Sequence, residues 1–288
     1  MFRLASTSSL VEARYISCEV HVPYSTRNGV KTYYEVSGEG FPFVLMHANP
    51  FDRRMFIYQV AHFSTHFKVI NIDLRAYGYS DKPAMPITLA DLCEDVVAVC
   101  RREGAREAIF AGVSVGGVMG LQLGLDHPEI FKALILVGCS SMPGDRYQSR
   151  IDGYMKQGVE KFHIQHLTGL VSKDFPQTKL GKYLLSMHTE MDSRLSAPAI
   201  AEIFNALQNR DLTARLPELK MPVLIMNGEF DNSLKRSKDM SARIAGAEHR
   251  TIPGAGHACC LEDPATFDEH VLTFLKQHGF FNVSLGDG

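Results

Sequence analysis

The chain has 288 residues, enough for one large domain or two small ones, and its apolar (45%) and charged (22%) fractions are those of a globular protein with a sizeable core. Its 30 basic and 32 acidic side chains leave a formal charge of -2, which favours neither a nucleic acid nor an anionic membrane as partner. No apolar run is long enough to span a bilayer. The six cysteines, at 18, 93, 100, 139, 259 and 260, form no Cys-x-x-Cys pair, so they read as reduced thiols of a cytoplasmic protein.

Residues 1–17 lack the apolar core of a secretory signal and read as a surface extension, with organellar import the open alternative. Residues 18–24 alternate weakly and read as a first strand, and the turn signal Asn28-Gly29 joins it to a strand over 31–36. The continuous apolar runs at 43–46 and 68–73 fit strands buried on both faces of a sheet, with a helix over 53–63 between them. Thr88 caps a helix over 88–102, whose Leu89, Leu92, Val96, Val99 and Cys100 share one face.

Next comes the strand 108–113, the sequence Gly112-Val113-Ser114-Val115-Gly116, and a helix bearing Gly116, Gly120 and Gly124 at four-residue spacing. Each glycine costs a helix about 1 kcal/mol relative to alanine, so a glycine face implies close approach to the sheet. After a strand at 133–138 the rhythm breaks. Residues 142–216 hold helical segments and no buried strand, and they read as a cap inserted after the sixth strand. Strand, helix, strand and helix then follow at 222–227, 235–244, 248–252 and 264–277. The alternation predicts a mostly parallel eight-stranded α/β sheet flanked by helices, with a core formed from 1–141 and 217–288 and a helical cap over 142–216.

A strand that turns sharply through Gly-x-Ser-x-Gly into a helix is the context a nucleophile elbow demands. It lifts Ser114 above the sheet edge, beside the unpaired N–H groups of a helix N-terminus. A serine hydroxyl needs a base and a group to orient that base. In elbow enzymes the acid and then the histidine follow the serine, each on a loop after a late strand. Asp231 follows the strand at 222–227, with Glu229 as its competitor; Asp231 is preferred because Glu229 lies nearer the strand end. Of the twelve histidines, His257 in the glycine-rich loop Gly254-Ala255-Gly256-His257 has the required position and order. His47, His127 and His249 read as structural. His163 and His166 have a spacing metals can use, but no third ligand accompanies them. The oxyanion donors are the backbone N–H of Val115 and, from the loop His47-Ala48-Asn49-Pro50, that of Asn49.

Together these residues resemble the α/β-hydrolase fold superfamily, from about residue 30 to 277. The resemblance rests on His47-Ala48-Asn49-Pro50, on Asp73-Leu74-Arg75-Ala76-Tyr77-Gly78-Tyr79-Ser80, on the elbow, and on Gly256-His257 followed by Leu261-Glu262-Asp263-Pro264. Ala48 and Ala76 stand where the family carries glycine. Serine at 114 sets the chain apart from the branches that use aspartate there, and the nearest flavour is that of enol-lactonases and small carboxylesterases.

The resemblance and the residues imply a serine hydrolase of carboxylic esters or lactones, with Ser114 as nucleophile, His257 as base and Asp231 as its orienting acid. No metal or organic cofactor is implied. The expected partner is a small, largely apolar ester or lactone; a homodimer is left open. Met155, Phe162, Met187 and Phe204 are candidates for lining the pocket, with packing inside the cap as the favoured competing role. Two other functions compete: hydrolysis of a carbon–carbon bond in a ring-cleavage product, and a ligand receptor that keeps the fold but turns over slowly.

Overall fold

The structure is a computed structural model and describes residues 23–208 and 210–281. The 1–17 extension lies outside the described residues, as does most of the first expected strand.

β1 (Tyr24–Arg27) and β2 (Val30–Ser37) form an antiparallel hairpin across Asn28-Gly29, both at positive φ (50° and 79°). That is the geometry of a two-residue loop whose twist matches the strands, and it carries pairing right up to the turn. The described strand at this end of the sheet is Tyr24–Arg27, so pairing runs past Tyr24 to the turn. β3 (Phe41–Met46) leads through a 3₁₀ turn at Arg53–Phe56 into α1 (Ile57–Phe63), and β4 (Phe67–Ile72) follows. α2 (Leu89–Arg102) starts with a reciprocal capping box: Thr88 Oγ1 accepts from Asp91 N–H at 3.1 Å, and Asp91 accepts from Thr88 N–H at 3.1 Å.

β5 (Ala108–Val113) runs into α3 (Val115–Asp126), and β6 (Phe131–Val137) precedes the long insertion. The insertion holds α4 (Tyr147–Gln157), α5 (Val159–Thr168), α6 (Lys179–Thr189) and α7 (Ala197–Gln208). The chain returns through β7 (Val223–Gly228), α8 (Leu234–Ser241), β8 (Glu248–Ile252), α9 (Cys259–Glu262) and α10 (Pro264–Gln277). The short α9 has no counterpart among the expected elements.

The eight strands form one sheet in the order β1-β2-β4-β3-β5-β6-β7-β8, parallel from β4 through β8. β2 joins β4 antiparallel. Because side chains alternate along a strand, the sheet splits the core in two. Val44, Ile70, Phe110, Leu134 and Ile225 face one apolar layer with α2, α3 and the insertion residues Ile200 and Phe204. Phe43, Val69, Ile109, Ile135 and Leu224 face the other, with Phe63, Leu184 and Phe274 from flanking helices.

The glycine face of α3 lies against the sheet. A Cβ on Gly120 would stand 2.6 Å from Leu136 Cδ2, and one on Gly124 equally close to Leu134 Cδ1. Ala76, in the position of a family glycine, keeps a positive φ of 76°. Five cysteines fall among the described residues, all free and buried. Among those residues no helix is long and apolar enough to cross a membrane.

Candidate active site

The elbow forms where β5 meets α3. Ser114 has φ 57° and ψ -111°, a conformation that L residues adopt only under strain. Its N–H donates to Val137 O at 2.7 Å and its carbonyl accepts from Val118 N–H at 3.0 Å, which pins the turn between β6 and the first turn of α3. The approach is too close for side chains. A Cβ on Gly112 would lie 2.3 Å from the backbone of Gly116, and one on Gly116 would lie 2.3 Å from Met46 O.

Asp231 and His257 stand on the loops after β7 and β8. Two backbone bonds tie those loops together, Glu229 N–H to Ile252 O and Phe230 N–H to Ala255 O, each 2.9 Å. His257 Nδ1 donates to Asp231 Oδ1 at 3.0 Å. Ser233 donates to the same oxygen from its N–H (2.8 Å) and its hydroxyl (2.9 Å), while Asn227 Nδ2 donates to Oδ2 at 2.8 Å. His249 Nε2 bonds Asn227 Oδ1 at 3.1 Å, so the acid is held through a chain that begins two residues into β8.

Burial alone would raise the Asp231 pKa, but the adjacent imidazole and these donors hold it well below the carboxylate range. For His257, burial lowers the pKa and the nearby Arg150 adds to that. The charge and hydrogen bond of Asp231 outweigh both, and the net shift is upward. Glu229 is exposed and its carboxylate accepts from Gly254 N–H at 2.9 Å.

Gly138, just past β6, completes the wall behind the imidazole at φ 61°; a Cβ there would lie 2.7 Å from His257 Cε1 and 3.0 Å from Asp231 Oδ2. Glu262 anchors the histidine loop to the insertion, accepting from both Gly256 N–H and Ser172 N–H at 2.8 Å.

Asn49 lies in the loop after β3, followed by a cis peptide bond to Pro50. Its side-chain Oδ1 accepts from the buried Tyr77 hydroxyl. That bond turns Nδ2 away from Tyr77, and among the described residues this buried Nδ2 has no partner. Nor, among the described residues, does a hydrogen bond engage the Asn49 backbone N–H. Val115 opens α3, so its own N–H has no partner within the helix. His47 is locked as a structural brace: Nε2 accepts from Leu74 N–H and Nδ1 donates to Ala48 O, both 2.9 Å. His163 braces the same loop from α5, donating from Nε2 to Pro50 O at 3.0 Å while Nδ1 faces Asp192. His166 instead bonds Tyr154 at 3.1 Å.

Ser114, Asn49, Val115, Asp231 and His257 all line one cavity of about 380 Å³, roofed by the insertion. Among the described residues no direct hydrogen bond joins Ser114 Oγ to His257; the two share the cavity wall. Of the four apolar candidates in the insertion, only Phe204 reaches this wall. Met155 is exposed, Phe162 stacks edge-on against Tyr154, and Met187 belongs to the opposite core layer.

The lining is mixed, with apolar and charged side chains sharing the cavity wall. Val118, Leu170 and Leu207 share the wall with Arg146, Arg150, Arg210, Lys235 and Arg236. These basic residues come from α4 and its N-cap, α8 and the segment after α7. Their convergence is tertiary, and no local pattern announces it. Gly138, Asn227 and Ser233 were likewise missed, although Asn227 and Ser233 flank Asp231 within four residues.

The alternating strands, the strained serine and the late aspartate–histidine pair decide the relationship once they are set beside known proteins. A sequence model of the alpha/beta hydrolase fold family matches residues 42–264. The chain belongs to that family. Among its relatives, this α/β-hydrolase is 27% identical over 265 residues to an AB hydrolase superfamily protein of Bacillus subtilis, covering 86% of this chain and 97% of the other. It is 25% identical over 223 residues to 3-oxoadipate enol-lactonase 2 of Acinetobacter baylyi, covering 76% and 82% of the two chains. The α/β-hydrolase also superposes on the crystal structure of the enol-lactonase from Burkholderia xenovorans with a TM-score of 0.83, 25% identity and coverage of 88% and 100%.

Proposed function

We propose that the chain is a serine hydrolase that cleaves carboxylic esters or lactones through an acyl-enzyme. The observation that carries this reading is the His257–Asp231 hydrogen bond of 3.0 Å, formed on the rim of the cavity that Ser114 lines from a strained turn. With Nδ1–H committed to Asp231, the neutral imidazole presents Nε2 as a base. Ser114 Oγ adds to the substrate carbonyl as its proton passes to Nε2. The tetrahedral oxyanion takes hydrogen bonds from Asn49 N–H and Val115 N–H, two donors without partners among the described residues. The proton then goes to the leaving alkoxide. Water, deprotonated by the same Nε2, cleaves the acyl-enzyme, releases the carboxylic acid and restores Ser114. Catalytic hydrogen bonds that are long in an unliganded site often tighten in the Michaelis complex, and the Ser114–His257 bond, not formed among the described residues, is of that kind in this reading.

Residues 142–216 act as the cap in this reading, and relatives named as enol-lactonases support the ester-and-lactone class. The buried, unbridged thiols support a cytoplasmic setting. A second reading draws on the arginines of the cavity wall: hydrolysis of a carbon–carbon bond in a carboxylate-bearing ring-cleavage product. A panel of p-nitrophenyl esters, simple lactones and a ring-fission dienone separates the two. Turnover of the esters or lactones that vanishes in Ser114→Ala supports the first. Turnover of the dienone alone supports the second, and full activity in Ser114→Ala rejects both.

A further inference from the structure

The whole protein carries a formal charge of -2, yet five cations stand around the single cavity that holds Ser114. Among the described residues two carboxylates share that wall. Asp231 is saturated by His257, Ser233 and Asn227, and Asp145 pairs with Arg236 at 3.1 Å. Among the described residues the remaining cations have no counter-ion on that wall.

Two of them are set deep. Arg210 is buried, at 7% exposure, and forms no ion pair among the described residues, although its charge reaches the exposed carboxylate of the adjacent Asp211. Its Nη1 donates to Ser140 O (3.1 Å) and Ser141 O (3.3 Å), and Nη2 to the Tyr147 hydroxyl (3.3 Å). Among the described residues its buried Nε–H has no acceptor. Arg150, on α4, is partly buried, and among the described residues no hydrogen bond or ion pair engages its side chain. Burial depresses its pKa, and its charge in turn lowers that of His257, which places the guanidinium within electrostatic reach of the catalytic base. α4 and α7 pack on each other, so Arg150 and the residue just after α7 serve the same chamber.

A desolvated guanidinium without an anion is costly, and the cost is recovered where a ligand brings the charge. We infer that the substrate carries a carboxylate as well as its scissile bond, and that Arg150 and Arg210 receive it inside the cavity. This rests on the ester-hydrolase reading for the reaction, not for the anion site. At about 380 Å³ the cavity is near the small end of ligand sites. The carboxylate therefore lies only a few atoms from the reacting carbonyl, as in a half-ester of a short dicarboxylic acid or a lactone bearing one carboxylate.

Binding tests this independently of turnover. Titration calorimetry on the Ser114→Ala protein should show glutarate binding at least about tenfold more tightly than its neutral diamide, glutaramide. Arg150→Gln in that background should weaken glutarate by about tenfold or more, and Arg150→Lys should recover part of the loss without the planar fork. Arg150 is the residue to change because Arg210 also braces Ser140 and Ser141. Equal binding of the two glutaryl compounds, or glutarate binding that ignores Arg150→Gln, overturns the proposal. So does inorganic phosphate binding more tightly than glutarate, which would assign the site to a phosphoryl group. In wild type, kcat/KM for monomethyl glutarate should exceed that for methyl pentanoate. Glutarate binding that depends on Arg150, with neither ester turned over, would uphold the carboxylate site and count against the ester-hydrolase reading alone.

Discussion

His257 Nδ1 and Asp231 Oδ1 meet at 3.0 Å, while Glu229, two residues before the aspartate, turns out to solvent and bonds Gly254 N–H. The two carboxylates share a loop and differ entirely in what they can do for the imidazole. Asp231→Asn should lower kcat on a p-nitrophenyl ester by roughly 10³–10⁴, because an amide no longer fixes the tautomer or stabilises the imidazolium. Glu229→Gln should leave kcat within a few-fold of wild type. Comparable losses in the two variants would mean that the acid has been misassigned.

The pH dependence follows from the opposing influences on His257. Its pKa is shifted up from the ordinary value of about 6.5, because Asp231 outweighs burial and Arg150. The base works when neutral, so kcat/KM should rise with pH through an apparent pKa above that ordinary value and then level off. Removing the positive charge in Arg150→Gln should move this inflection further up. Asp231→Asn should move it down. A rate already flat across the histidine range would contradict His257 as the base.

Gly138 offers a steric test of the same pair. Alanine there must hold φ near 61° and place its Cβ 2.7 Å from His257 Cε1. The left-handed conformation alone costs about 1–2 kcal/mol, readable as a shifted midpoint in urea denaturation. The displaced imidazole should lower kcat more than it raises KM. Wild-type stability together with wild-type kcat would show that the wall behind His257 is softer than the packing implies.

The legibility of the site followed the range of the interactions. The elbow, Asp231 and His257 could be picked out because each stands directly after a buried strand, where a local pattern marks both the position and the order. The caps and the glycine face of α3 were legible for the same reason. Gly138 gave no signal, since its role depends on β6 ending beside a loop more than a hundred residues later. Arg150 and Arg210 carry no local signal, because it is the packing of α4 and α7 that brings them to the cavity. The described bounds of the short strand β1 come from pairing with β2 rather than from its own alternation.

The most direct measurement concerns Ser114 itself. Wild-type protein mixed rapidly with a slowly deacylating p-nitrophenyl ester should give a burst of p-nitrophenol close to one equivalent. Peptide mass mapping of the quenched sample should then find the acyl group on Ser114, with both signals absent in Ser114→Ala. An acyl group on any other residue, or hydrolysis that proceeds unchanged in Ser114→Ala, would contradict the assignment of Ser114 as the nucleophile.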